Sequence, residues 1–216
     1  MAESNRGAAP MSVATAEPSS AGAPEESPPT VEDTSLRSVA ERMADMLPEG
    51  FRAEILEGSI VVSPTPRKKH GGVISRIQRQ LIHRLPDDRD CYQVVAVGTP
   101  GDNADFAIPD LLVMPAAEAE ADDGRLAAPD AVDLVLEVVS VRNAPADIEI
   151  KPRVYAGMGI AIYLLVDPRD GSVICYSDPR EGAYQATHRM KFGDAVVLPE
   201  PLKDVRIETD DLPLYA

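Results

Sequence analysis

Two carboxylates interrupt apolar stretches of this sequence, and a lysine follows them. Asp110 lies within the stretch AIPDLLVM at residues 107–114, and Glu137 lies within VDLVLEVV at residues 132–139. Apolar runs of this length are typical of buried strands. A charge inside a buried strand is costly unless it is paired or binds a metal. Together with Lys151, the two carboxylates indicate a divalent-metal site suited to phosphodiester hydrolysis.

The chemistry of such a site needs few protein groups. A metal ion polarises the phosphate and lowers the pKa of the attacking water. Mg²⁺ binds through one or two carboxylates and keeps several waters, so Asp110 and Glu137 would suffice as ligands, and Mg²⁺ or Mn²⁺ is the expected cofactor. A nearby lysine would orient the water or offset the charge that develops on the phosphate.

Each of these residues also has a purely structural interpretation. Asp110 could close a turn after Pro109, and Glu137 could be a buried acid paired with an arginine. Lys151 could be a helix-surface lysine paired with Asp147 at i,i+4. Because Pro152 follows Lys151, the direction of the Lys151 side chain stays open. The helix either begins near residue 150, with the proline in its first turn, or bends at the proline.

The elements that would position these residues form an α/β pattern. The predicted order is that of a mixed sheet flanked by helices, with an N-terminal helix and hairpin and a C-terminal antiparallel ribbon. The predicted helices cover residues 36–47, 67–85 and 145–158, the hairpin strands 51–55 and 60–63, the sheet strands 92–97, 105–114, 133–140 and 160–166, and the ribbon 173–176, 183–187 and 196–207.

Composition limits the classes of protein. Residues 1–36 are rich in Ala, Pro, Ser and Glu and are predicted to be a disordered tail, which leaves 37–216 as one domain. No apolar stretch approaches 18 residues and no signal peptide is recognisable, so neither a membrane span nor secretion is expected. With two isolated cysteines, Cys91 and Cys175, the expected location is the reducing cytoplasm.

The net charge of −15 opposes non-specific binding of nucleic acid. The most basic stretch is Arg67-Lys68-Lys69-His70, at the start of the second predicted helix. This stretch is the best candidate for contact with phosphate, and the amides of the helix N-terminus would assist it. A run of this kind is also usual at a solvated helix start.

Beyond these single features, the ordered set of motifs resembles the PD-(D/E)XK nuclease superfamily. Pro109-Asp110 matches its "PD" and Glu137 its second acid, but Val139 stands where the superfamily has its lysine, and Lys151 on the next helix takes that place. This arrangement resembles the Uma family of restriction-endonuclease-like proteins, from about residue 38 to the C-terminus. Further matching stretches are residues 54–64, His70, residues 134–140, Asp147-x-x-x-Lys151-x-x-x-Tyr155-x-x-x-Gly159, and residues 163–168.

The resemblance implies a role for several residues. Asp110 and Glu137 would be metal ligands, the backbone carbonyl of Val138 would complete the metal shell, and Lys151 would be the catalytic lysine. Glu54, His70 and Tyr155 match family positions near the site. From the residues alone, a capping or surface histidine is the favoured interpretation of His70, and a core residue is the favoured interpretation of Tyr155.

Two functions of different classes follow from these observations. The first is a metal-dependent endonuclease that hydrolyses DNA, with a homodimer as the expected oligomer. The second is a non-catalytic binding or regulatory module that keeps the nuclease fold, which the net charge of −15 favours. An adaptor whose tail recruits a partner ranks behind both.

Overall fold

The computed structural model describes residues 35–101, 103–121, 124, 126–141 and 143–215. The predicted disordered tail therefore lies outside the described residues, except for Ser35 and Leu36, and the boundary between tail and domain stays a prediction. Within the described part, helices and mixed sheets alternate along the chain, so the predicted α/β class is confirmed. No helix of this part is long and apolar enough to cross a membrane.

The N-terminal elements follow the predicted pattern. Helix α1 (Leu36–Met46) begins at Ser35, whose side chain accepts a hydrogen bond from the backbone of Ser38. Strands β1 (Phe51–Leu56) and β2 (Ser59–Pro64) form the hairpin. Helix α2 (Lys68–Ile82) buries an apolar stripe and also His70. The stripe predicted this helix correctly because it recurs every three to four residues.

The single strand predicted at residues 92–97 is wrong. Strand β3 (Arg89–Tyr92) ends where that prediction begins, and β4 (Ala96–Gly98) is a separate short strand. Between them Val94 has φ of 62°, a backbone conformation that a β-branched residue rarely adopts. The chain therefore leaves one sheet after β3 and enters another at β4.

The strand predicted at residues 105–114 is also divided. Strands β5 (Phe106–Ala107) and β6 (Leu111–Pro115) flank a break at Ile108-Pro109-Asp110. Proline cannot donate to the ladder, so Asp110 lies just before β6 rather than inside a strand. The following segment, predicted as a loop, contains helix α3 (Ala116–Glu120) and strand β7 (Leu126–Ala127).

The second carboxylate lies on a central strand. Strand β8 (Leu134–Val138) carries Glu137, a 3₁₀ turn (Pro129–Ala131) precedes it, and a π-helix (Ala146–Ile150) runs directly into helix α4 (Lys151–Met158). Gly159 ends α4 with φ of 80°, the left-handed conformation that glycine adopts freely. Strand β9 (Ile162–Asp167) then pairs with β8 in parallel.

The C-terminal region forms the expected antiparallel ribbon at residues 172–191, but the ribbon segment predicted at 196–207 is wrong, because it is divided into two short strands of a separate sheet. Strands β10 (Ser172–Arg180) and β11 (Ala183–Lys191) make a long antiparallel hairpin, and β12 (Ala195–Val197) pairs with β13 (Arg206–Glu208). The main sheet has the order β11-β10-β9-β8-β6-β3, and a second has the order β2-β1-β5-β4-β7. The sequence did not indicate that the N-terminal hairpin belongs to a separate sheet.

Apolar clusters cover both faces of the main sheet. On one face α2 packs through Val73, Ile77 and Leu81 against β8 and β9. On the other face Val135 and Val139 pack with Tyr155 of α4 and with Leu56 of the second sheet. Side chains alternate along a strand, so Glu137 points to this second face, between α4 and the second sheet. Both cysteines are free and buried.

Candidate active site

Lys151 joins the acids of the main sheet, the second sheet and the π-helix. Its Nζ lies 2.6 Å from Glu137 Oε1, 3.2 Å from Glu54 Oε1 and 3.8 Å from Asp147 Oδ1. Lys151 is only 2% exposed, so the helix-surface interpretation of this residue is wrong. Tyr155, one turn further along α4, donates a hydrogen bond of 2.7 Å to the same Oε1 of Glu137.

The π-helix explains how a lysine followed by a proline can point inward. The backbone N–H of Lys151 bonds to the carbonyl of Ala146, five residues earlier. The same pattern would pair residue 152 with the carbonyl of Asp147, but Pro152 has no N–H to donate. The hydroxyl of Tyr163 supplies the missing donor at 2.7 Å from that carbonyl. Asp147 and Lys151, four residues apart, lie on the same buried side of this helical segment.

A second group of charges surrounds Asp110. Its Oδ1 lies 3.0 Å from Arg52 Nη2, and its Oδ2 lies 2.8 Å from His70 Nε2. The backbone N–H of Val138 donates to Oδ2 at 2.9 Å. His70 is therefore buried against a carboxylate, and the capping or surface interpretation is wrong. The bond to Val138 links Asp110 directly to the strand that carries Glu137.

Strand β1 contributes one residue to each group. Arg52 and Glu54 are two positions apart and share one face of the strand. Arg52 contacts Asp110, while Glu54 contacts Lys151 and accepts a hydrogen bond of 2.8 Å from the backbone of Ile108. Arg52 was not predicted as a site residue, although its spacing from Glu54 was the available signal.

The surroundings of Asp110 stabilise its ionised form. Burial by itself disfavours the charge, but the hydrogen bond and charge of His70, the charge of Arg52 and the N–H of Val138 together lower the pKa of Asp110 to about 2. Asp110 is therefore an anion at neutral pH. Burial also opposes the charge of Arg52, yet its carboxylate neighbours raise the pKa of its guanidinium.

The Lys151 group holds more acid than base. Burial raises the pKa of Glu137 to about 8 and that of Asp147 to about 6, although the charge of Lys151 works against both shifts. Burial disfavours the Lys151 ammonium as well, but Glu137, Glu54 and Asp147 raise its pKa. Three carboxyl groups thus share one ammonium ion, and a further positive charge, from a proton or a cation, would be stabilised here.

Both groups of charges line one cavity of about 550 Å³. The buried acids and bases form the floor of the cavity. Exposed residues at the start of α2 and in the segment that precedes α2 form one side. Ser140, Val141 and Asn143 follow β8 on another side, and Tyr215 closes the cavity from the C-terminal segment. The cavity floor consists of Glu54, Asp110, Glu137, Asp147 and Lys151, and the basic rim consists of Arg67, Lys68 and Lys69.

Three polar atoms near this cavity are buried without a hydrogen-bond partner among the described residues. They are Arg52 Nε, His70 Nδ1 and the hydroxyl of Tyr215. Burial and the charges of Asp110, Asp167 and Asp147 raise the pKa of Tyr215 to about 12, so its hydroxyl keeps its proton. Buried polar groups in native proteins are nearly always satisfied, and these atoms are therefore candidates for contact with a ligand or water.

The family model described as "Putative restriction endonuclease", named Uma2, matches residues 40–210. This chain belongs to the Uma2 family. A search of curated proteins finds no match.

A solved structure supports the fold. The Uma2 chain is similar to the crystal structure of a "putative nuclease belonging to DUF820" from Anabaena variabilis ATCC 29413, with a TM-score of 0.59 and 21% sequence identity. The match covers 77% of this chain and 93% of that chain. The resemblance inferred from the sequence is thus confirmed, and so is the nuclease-like fold.

The positions that the sequence nominated in this Uma2 chain converge in the structure. The convergence concerns place only, and the roles of these residues stay predictions. Nine of the ten nominated residues line the cavity: Asp110, Glu137, Lys151, Val138, Glu54, His70, Arg67, Lys68 and Lys69. The tenth, Tyr155, contacts Glu137 instead. Tyr215 was not nominated, because nothing in the C-terminal sequence marks it as close to Asp110. Asp147 was nominated only as a surface partner of Lys151.

The donor set fits a hard cation held largely by water. Among the described residues, no three His, Cys, Asp or Glu side chains are grouped to hold a metal ion. The two carboxylates fit Mg²⁺ or Mn²⁺ nonetheless, because such ions need only one or two protein carboxylates. Asp110 Oδ1 accepts one hydrogen bond, and Glu137 Oε2 accepts none from the described residues. Both oxygens therefore have lone pairs to offer.

Proposed function

We propose that this Uma2 protein is a metal-dependent endonuclease that hydrolyses DNA phosphodiester bonds. The observation that carries the proposal is that Asp110, Glu137 and Lys151 line a single cavity bordered by basic residues. The family supports a nuclease, while metal dependence and DNA as substrate are our inference.

Asp110 and Glu137 would hold Mg²⁺ or Mn²⁺, with the carbonyl of Val138 as a further oxygen ligand. Bound there, the ion would supply Lewis-acid activation of the phosphate and of water. Asp110 is suited to this role because its lowered pKa keeps it ionised. The unbalanced carboxyl groups around Lys151 would gain stability from an added positive charge.

Lys151 would act as a cation rather than as a base. The acids around it raise its pKa, so it stays protonated and cannot accept a proton from water at neutral pH. Its ammonium can instead orient the attacking water or offset charge on the phosphate. Tyr155 and Glu54 position it, since Tyr155 shares Glu137 Oε1 with it and Glu54 contacts its Nζ.

The alternative is a non-catalytic binding or regulatory module that keeps this fold. One observation favours it: both oxygens of Asp110 already accept hydrogen bonds from protein groups. The net charge of −15 also weakens encounter with DNA. Homodimer formation and a cytoplasmic location stay predictions under either function.

Cleavage of plasmid and single-stranded DNA with Mg²⁺ or Mn²⁺ distinguishes these functions. We expect the wild-type protein to cut, and both Asp110→Ala and Lys151→Ala to lose at least a hundredfold in rate, as is usual for loss of an electrostatic catalytic group. Glu200→Gln, at an exposed acid away from the cavity, serves as the matched control and should cut normally.

The outcomes separate the roles of the residues. If Asp110→Ala alone is inactive, the metal site is real and Lys151 is structural. If the wild-type protein cuts with neither metal, the endonuclease is wrong and the binding module takes its place. If it cuts equally well in EDTA, it is a nuclease but its metal dependence is wrong.

A further inference from the structure

The charged groups of the site lie at the bottom of the cavity and not on an open surface. Glu137 and Lys151 are each 2% exposed and Asp110 is 5% exposed. Above this floor, Arg67, Lys68 and Lys69 are exposed on one side, and Val141 is 67% exposed on another. A phosphate must therefore enter the cavity to reach Asp110 and Glu137.

The basic rim offers a route for a phosphate backbone. Arg67, Lys68 and Lys69 are consecutive, exposed and part of the cavity lining. They lie at the N-terminus of α2, whose first backbone N–H groups add a positive potential. A short run of cations beside a cavity offers phosphate contacts to a strand that enters it.

Tyr215 provides a partly exposed aromatic ring in the cavity wall. Its backbone N–H bonds to the carbonyl of Pro168 at 2.8 Å, which fixes the C-terminal segment beside the site. The hydroxyl is buried, has no partner among the described residues and remains a donor. A ring with an apolar face and an unused donor suits a nucleotide, whose base can stack while its phosphate accepts a hydrogen bond.

Resting on the proposed function, we propose that the substrate is single-stranded DNA. The strand follows the basic rim, one phosphate descends to Asp110 and Glu137, and a base stacks on Tyr215. A cavity of about 550 Å³ has the size of a pocket for a small ligand. Duplex DNA pays a deformation energy when it bends, whereas a single strand curves freely, so bringing one phosphate to the buried floor costs a duplex more.

Cleavage of matched substrates tests this preference. One labelled oligonucleotide is supplied with Mn²⁺ as a single strand and as a blunt duplex with its complement. We expect the single-stranded DNA to be cut at least tenfold faster than the duplex. A duplex rate equal to or above that of single-stranded DNA overturns the inference but leaves the endonuclease in place.

Binding provides a readout that does not depend on cleavage. Fluorescence anisotropy with Ca²⁺ and the same two forms of DNA should give at least tenfold tighter binding of the single strand than of the duplex. If nothing is cut but this order holds, the endonuclease fails and the single-strand preference stands. If nothing is cut and the two forms bind alike, both proposals fail.

The tyrosine has its own matched control. Tyr215→Ala should weaken binding of single-stranded DNA about tenfold by removing a stacking partner, whereas Tyr215→Phe should retain most of the binding. Leu214, adjacent and 55% exposed, does not line the cavity, so Leu214→Ala should bind normally. Equal binding by wild type and Tyr215→Ala overturns the proposed place of the strand.

Discussion

Lys151 is the residue on which the balance of buried charge depends. It is the cation in contact with Glu137, Glu54 and Asp147. Burying several acids around one base is rarely a route to stability, because desolvation offsets most of the Coulomb attraction. The charge balance of the cluster is thus consistent with the proposed cation site and gives little net stability to the fold.

Replacing Lys151 by methionine should destabilise the metal-free protein in a pH-dependent way. At pH 8 the loss should be about 3–5 kcal/mol, because buried carboxylates are left without their cation. At pH 5 the loss should be smaller, since Glu137 and Asp147, whose pKa values burial raises, can then be protonated. Urea unfolding at both pH values measures this loss in the free energy of unfolding. As a control, Lys203→Met, at an exposed lysine, should change stability by less than about 0.5 kcal/mol.

An equal loss at the two pH values would contradict this explanation, because it would mean that packing and not charge is lost. No loss at all would mean that Lys151 is not the counter-ion of these acids.

Glu137 should make the metal-free protein less stable as the pH rises. Its pKa is raised from 4.5 to about 8 in the fold, so the folded state binds the proton more tightly than the unfolded state. That contribution is complete below about pH 4.5 and is lost as the pH rises through 8. Asp110 behaves in the opposite sense: its pKa is lowered to about 2, and its contribution is lost as the pH falls toward that value.

Urea unfolding between pH 5 and 9 in EDTA measures this dependence. We expect stability to fall with rising pH, and Glu137→Gln to flatten the curve, because a neutral amide has no proton to lose. Glu200→Gln should leave the curve unchanged. Wild-type stability that rises from pH 6 to 9 would refute the assignment of a raised pKa to Glu137.

At the scale of elements, the junction of the π-helix and α4 aims Lys151 and Asp147 into the same space. Pro152 removes a helical donor, and the hydroxyl of Tyr163 satisfies the carbonyl of Asp147 instead. π-Helical turns inside helices are often found at functional sites. The junction of this π-helical turn with α4 contains both the base Lys151 and the acid Asp147. A regular α-helix that began after Pro152 would contain neither of them.

Tyr163→Phe should cost about 1–3 kcal/mol of stability, because the buried carbonyl of Asp147 loses its partner. Pro152→Ala in the same chain restores an N–H that can reach that carbonyl. We therefore expect the double variant to lose less than the sum of the two single variants, as measured by urea unfolding in a double-mutant cycle. Strictly additive losses would show that the proline and the tyrosine do not act on one carbonyl.

The sequence predicted some elements because their signals are local. The apolar stripe of α2 and the β1–β2 hairpin needed only residue spacing. The nominated acids, Asp110 and Glu137, stood out because charges are rare in apolar runs. Pro109 was a local signal for the strand break at Asp110. The positive φ of Val94 had no such signal, because valine disfavours this conformation and tertiary structure imposes it.

Other parts of the site could not be predicted from local pattern. Arg52 on a half-exposed strand looks like an ordinary surface residue, and Tyr215 is near Asp110 only because the chain returns past Pro168. The separation of the strands into two sheets depends on long-range pairing such as that of Ile55 with Phe106. Pairing between distant residues leaves no periodic signal in the sequence.

At the scale of the whole molecule, the charge is negative while the cavity rim is positive. A chain of net charge −15 repels nucleic acid in general. Under the proposed function, binding would depend chiefly on the three consecutive exposed cations at the rim, Arg67, Lys68 and Lys69.

The salt dependence of DNA binding should report these three cations. If all three contact phosphates, log K against log salt concentration should have a slope of about −2 for a single strand. Lys69→Gln should reduce the slope by about 0.7, whereas Lys203→Gln should not change it. Anisotropy titrations at several salt concentrations measure the slope, and a Lys69→Gln slope equal to that of wild type would exclude the rim as the phosphate contact.

The most direct test of metal binding by Asp110 and Glu137 is an isothermal titration of Mn²⁺ into the metal-free protein at pH 7. We predict a saturable site in the wild-type protein, with proton release because the cation competes with the proton on Glu137. Asp110→Asn and Glu137→Gln should each weaken binding at least tenfold. Absence of saturable binding in the wild type, or equal affinity in all three proteins, would contradict a metal-dependent nuclease built on these two carboxylates.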